Sequence, residues 1–103
     1  FTTETVYRVN SVSKIIDIVA KYFNLEVPVI KRKMRKKNIA DARAIAMYLS
    51  RIMTDESLER IGLEFGGRDH TTVIHSFEKI NKEINNNPKL AEEIKLLKEK
   101  ICE

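Results

Sequence analysis

A single cysteine, Cys102, leaves no pair to close a disulfide within the chain, so a reducing, intracellular setting is the expectation. Apolar runs are only a few residues long, which excludes a membrane-spanning helix or a secretory signal within this stretch. No segment alternates apolar and polar residues convincingly, so strands are not indicated. Metal ligands are scarce as well. His70 and His75 are five residues apart, roughly 140° around a helix, so they diverge, and Cys102 is remote from both.

All three glycines stand in "GLEFGGRD", where Gly62 and Gly67, separated by four residues, come close to a phosphate loop. The stretch departs at both informative positions: Arg68 stands for the lysine, and Asp69 replaces the hydroxyl that would hold Mg²⁺ and adds negative charge where phosphates would sit. Nucleophilic catalysis fares no better. Ser76 and His75 are neighbours pointing about 100° apart on a helix, and an Asp69 that caps a helix spends its oxygens on backbone N–H groups. No enzyme activity and no cofactor are therefore expected in this chain.

The composition present is that of a folded domain. Hydrophobic residues make up 43% and charged residues 33% of 103, enough apolar surface for one modest core and too much for wholesale disorder. The first residue is Phe1 and the opening "FTTET" is polar; residues 1–10 are expected to be the remnant of a linker from a preceding domain, and 11–103 a single domain. Charge is concentrated. Lys31, Arg32, Lys33, Arg35, Lys36, Lys37 and Arg43 face only Asp41 between residues 31 and 43, so that segment carries +6 while the whole chain carries +4. A patch of this kind suits a nucleic-acid backbone, although a solvated loop or a localisation signal has the same composition.

Helical periodicity predicts an all-α fold of about six helices. Ser11 is placed to cap a first helix presenting Val12, Ile15, Ile16, Val19 and Phe23 and ending near Asn24. Pro28 suits the first turn of a short helix, Val27 to Lys31, and the basic stretch follows as a loop. Asp41 is expected to cap the third helix, with Ile45, Leu49 and Ile52 inward, Ala42, Ala46 and Met53 flanking, Arg43, Met47 and Ser50 on the opposite side, and Arg51 on the flank. Ser57 caps a short helix with Leu58, Ile61 and Phe65, stopped by Gly66. Asp69 caps the next, which buries Val73, Phe77, Ile80 and Ile84. Asn87 and Pro88 start a last helix carrying Leu90, Ile94, Leu97 and Ile101, antiparallel to its predecessor.

The short helix, the glycine turn and the longer helix from Asp69 read as a helix-turn-helix. In that motif the second helix enters the major groove by its N-terminal end. Thr71 and Thr72 offer a hydroxyl and a methyl to base edges, His70 can donate or accept, and the helix start favours a phosphate nearby. Singly, each has a plainer role in starting a helix. Together with the basic loop they favour DNA over two alternatives, a helical module that meets an acidic protein and an RNA binder, since an A-form major groove does not admit a helix.

The run "IGLEFGGRDHTTVIHSFEKI", Ile61 to Ile80, closely resembles the C-terminal signature of the DnaA family of bacterial chromosomal replication initiators. The similarity extends upstream through "VAKYFNL" and the basic loop to "IAMYL". The resemblance implies a Trp-repressor-like helix-turn-helix that binds double-stranded DNA at the DnaA boxes of a replication origin, in the bacterial cytoplasm at the nucleoid. ATP and self-assembly are then expected to belong to domains outside this chain, and no membrane partner is expected. Carried over by position, Asp69, His70, Thr71 and Thr72 look like major-groove readers and Arg35 like the arginine that enters the adjacent minor groove, with Lys33 and Lys36 able to share that role. Lys33, Arg43, Arg51, Thr54, Leu58 and Lys79 fall where the family meets the DNA backbone. The match departs at Asp41-Ala42-Arg43-Ala44, where proline and glutamine usually flank the arginine; Asp41 is expected to compensate as a cap. Met34 also interrupts the basic run.

Overall fold

A computed structural model describes residues 11–102; the expected linker remnant, residues 1–10, lies outside the described residues. Six α-helices follow one another: α1 (Val12–Tyr22), α2 (Val27–Lys31), α3 (Lys37–Met53), α4 (Leu58–Glu64), α5 (His70–Asn86) and α6 (Pro88–Cys102).

Most of the boundaries follow from local chemistry. The Ser11 hydroxyl oxygen accepts from the Lys14 amide at 3.1 Å, and α1 stops just before Asn24, which takes a left-handed φ of 58° that asparagine tolerates better than most residues. Pro28 lies in the first turn of α2. Ser57 caps α4 by accepting from the Arg60 amide at 3.1 Å. Asn87 alone separates α5 from α6, and its side-chain oxygen accepts from the Leu90 amide at 3.2 Å.

The start of α3 differs from expectation. Asp41 does not cap it; the helix begins five residues earlier than such a cap implies, at Lys37, with Lys36 as an N-cap that makes no side-chain bond. The cause is the alanine at 42. A proline there would remove an N–H and clash with the preceding turn, whereas alanine propagates helix freely. Asp41 instead pairs with Lys37 one turn back, at 3.1 Å, and lies 3.9 Å from Lys79 on α5. The loop between α2 and α3 thus shrinks to residues 32–36.

The outward positions of α3 also need correction. Met47 and Ser50, expected on the solvent side, are both fully buried. Helix α3 packs against α1, α2, α4 and most extensively α5, so it is enclosed on nearly every side and has no single apolar stripe to read. The buried Ser50 hydroxyl donates to the Ala46 carbonyl at 2.8 Å, which satisfies it locally at little cost. Around this axis Ile15, Ile16, Ile61, Phe65, Val73, Leu97 and Ile101 fill the core, while α6 closes the far side against α1 and α5. Phe77 is only partly buried because it is a lid: its ring stacks on Tyr48 at 5.3 Å with the Arg51 guanidinium 5.9 Å from its centroid.

Candidate nucleic-acid interface

The turn between α4 and α5 is built on close backbone approach. At Gly62, inside α4, a side-chain carbon would fall on the Arg68 carbonyl oxygen, and the Arg68 amide donates to the Gly62 carbonyl at 2.8 Å. Gly66 and Gly67 then take φ of 86° and 79°, a region in which other residues are strained. A side-chain carbon on Gly66 would also lie 2.5 Å from the Lys31 carbonyl oxygen. The turn therefore packs onto the end of α2, directly before the basic loop.

Beyond the turn, Asp69 caps α5. Its Oδ1 accepts from the Thr71 amide at 2.9 Å and from the Thr71 hydroxyl at 2.5 Å. The Thr71 hydroxyl bond, then the amide bond, with smaller help from the charges of His70 and His75, holds the Asp69 carboxyl below the usual aspartate range. A depressed folded-state value means that the cap is complete above the unfolded aspartate range and is lost as pH falls through the folded value. At neutral pH the cap is made. The His70 side chain is 55% exposed, with Nδ1 3.8 Å from Asp69 Oδ1, and Thr71 and Thr72 are exposed. Among the described residues Thr72 uses its hydroxyl on nothing, whereas Thr71 has committed its hydroxyl proton to the cap. The four candidate readers thus share one open helix end, with Asp69 and Thr71 already coupled.

On the basic loop, Arg32, Lys33, Arg35 and Lys36 are exposed and Met34 is half-buried. Its path is fixed by two arginines from elsewhere. Arg43, expected to point outward, turns back from α3: Nε donates to the Ile30 carbonyl at 2.8 Å, and Nη2 to the carbonyls of Arg32 at 2.5 Å and Met34 at 3.1 Å. Arg68, from the glycine turn, donates through Nη1 to the carbonyls of Lys31, at 3.1 Å, and Phe65, and through Nη2 to that of Arg32 at 3.0 Å. Orphan carbonyls at the end of α2 explain the attraction, and a guanidinium fork suits several acceptors at once. Burial lowers the pKa of both groups, and for Arg43 the neighbouring Arg68 charge adds to the effect.

The remaining candidates are spread around this centre. Arg51 is exposed over Phe77. Lys79 is 53% exposed beside Asp41. Thr54 is half-buried, its hydroxyl donating to the Ser50 carbonyl at 2.7 Å and accepting from the Glu56 amide at 3.2 Å, while Leu58 is half-buried at the start of α4. Arg68 and Gly62 had no structural role in the sequence reading. Gly62 carried a signal nonetheless, since glycine inside a short helix costs about 1 kcal/mol against alanine and calls for a packing reason.

This geometry defines an all-helical helix-turn-helix domain with an open second-helix start beside a pinned basic loop. Comparison with known sequences specifies it further: the chain belongs to the family described as the bacterial DnaA protein helix-turn-helix, which matches residues 12–80. It is similar to the chromosomal replication initiator protein DnaA of Levilactobacillus brevis, with 53% identity over 83 residues, 81% of this chain. The chain spans 18% of the length of that relative. Among the described residues no helix is long and apolar enough to cross a membrane.

Proposed function

We propose that this chain is a non-catalytic, sequence-specific double-stranded DNA-binding domain that recognises DnaA boxes during initiation of bacterial chromosome replication. The observation that carries the reading is the capped, exposed start of α5 set against a basic loop that shares backbone contacts with it through Arg68. His70 and Thr72, with Asp69 and Thr71, read base edges in the major groove. Arg35 leads the loop into the adjacent minor groove, where a narrow A·T segment attracts guanidinium groups, and Lys33 and Lys36 flank it. Lys33, Arg51 and Lys79 lie along phosphates, with Thr54 and Leu58 approaching the backbone. Arg43 keeps only Nη1 for this purpose, since Nε and Nη2 are engaged by loop carbonyls. ATP binding and self-assembly belong to other parts of the longer protein, which acts at the nucleoid in the cytoplasm.

The test is fluorescence anisotropy on a box duplex and a scrambled duplex of equal length. Wild type binds the box preferentially, and His70→Ala loses about 1 to 3 kcal/mol on the box with little change on the scrambled DNA. Equal affinity of wild type for both duplexes contradicts the reading. So does an equal loss by His70→Ala on each.

A further inference from the structure

Two guanidiniums meet at one backbone oxygen. Arg43 and Arg68 come from opposite sides, α3 and the glycine turn, and both donate to the Arg32 carbonyl. Between them they also hold the carbonyls of Ile30, Lys31 and Met34, so the backbone on both sides of Lys33 is tied down before Arg35 emerges. Among the described residues neither guanidinium pairs with a carboxylate. Their positive charge is left for a polyanion while most of their donors are spent on carbonyls. Arg68 directly precedes the cap of α5 and in addition grips the Phe65 carbonyl at the end of α4. One side chain therefore touches both the base of the loop and the foundation of the helix start.

Resting on the DNA-binding reading above, we propose that Arg68, with Arg43 as its counterpart, is a positioning and specificity-determining residue: it sets the reach of the basic loop into one groove relative to the seat of α5 in the next. The side chain reads no base. A loop free to swing retains its charge and its attraction to phosphate, yet presents Arg35 to the minor groove in many orientations. Ordering that loop on each binding event then costs affinity. The cost appears only where Arg35 must find its base pairs, so discrimination fails at the loop's end of the site and persists under α5.

The charge-conserving change Arg68→Lys separates positioning from charge, because an ammonium on a flexible stem cannot reproduce a planar fork over three carbonyls. Affinities are measured for wild type, Arg68→Lys and Arg43→Lys on a box duplex and on its single-base variants, with backbone ¹⁵N order parameters of the free proteins. Arg68→Lys is expected to weaken box binding about tenfold, to lose preference at the minor-groove base pairs, to keep it at the major-groove ones, and to lower order in residues 32–36. The salt dependence stays as in wild type. Retained affinity and discrimination, or a loss spread evenly over all base pairs, overturns the proposal. Should Arg68→Lys fail to fold, Arg43→Lys, outside the glycine turn, carries the same expectations and the same refutation. If wild type itself does not prefer the box, the function reading fails instead, a result distinguishable from either.

Discussion

Gly62→Ala is expected to destabilise the domain by about 3 kcal/mol or more, at the upper end of what overpacking one carbon costs, because the obstacle is backbone and cannot rotate away. The new Cβ falls on the Arg68 carbonyl oxygen, so α4 and the turn must separate. That movement also breaks the bond from the Arg68 amide to the Gly62 carbonyl and shifts the guanidinium that ties the loop. For a domain of this size the melting temperature drops by roughly 12 °C or more, and DNA binding falls with it. Gly67→Ala is the control. Nothing lies within 4 Å of its built Cβ, so only the left-handed backbone is strained, at about 1 to 2 kcal/mol. A Gly62→Ala protein that melts within a few degrees of wild type would contradict the close packing on which the recognition geometry depends.

The second large effect is electrostatic. If Lys33, Arg43, Arg51 and Lys79 at phosphates and Arg35 in the minor groove between them displace about five condensed counterions, log affinity against log salt slopes near −4 to −5, and a rise from about 50 to 200 mM salt weakens binding about 500-fold. A fluorescence titration across that range gives the slope directly. A slope shallower than about −2 would mean that the basic loop lies away from the DNA backbone. Replacing Lys79 by alanine should reduce the slope by about one. Lys79 is held only loosely, 3.9 Å from Asp41, and exposed pairs of this kind contribute little to folding, so stability should hardly change.

How much was legible in the sequence differs by element. Helices whose ends carry their own chemistry were read directly: Ser11, Ser57 and Asp69 each accept a bond from the backbone two or three residues on, and that preference is local. The last helix is readable too, as α6 is buried along one stripe, Leu90, Ile94, Leu97 and Ile101; of the four positions expected inside on α5, Val73 and Ile80 are buried and Phe77 and Ile84 only partly so. Helix α3 is not readable in this way. Its burial is decided by four neighbours at once, so Met47 and Ser50 carry no mark of being inside, and Asp41 has the residue type of a cap although Ala42 lets the helix run on from Lys37. Of the site, the open helix start could be inferred from "GGRDHTT". The role of Arg68 could not. Its partners in the loop region, Lys31 and Arg32, lie 37 and 36 residues away, and a bond to a backbone carbonyl leaves no trace in the partner's residue type. The same holds for Arg43, which helical spacing places outward while three carbonyls draw it inward.

That the start of α5 lies in the major groove is tested most directly by Thr72, whose hydroxyl is free among the described residues. Wild type and Thr72→Ala are compared on a box duplex and on every single-base variant of it. The account predicts that Thr72→Ala levels the preference at one or two adjacent base pairs, by about 1 to 3 kcal/mol, and leaves the rest of the profile as in wild type. A profile that keeps every preference, or drops uniformly at all positions, would place α5 away from the bases.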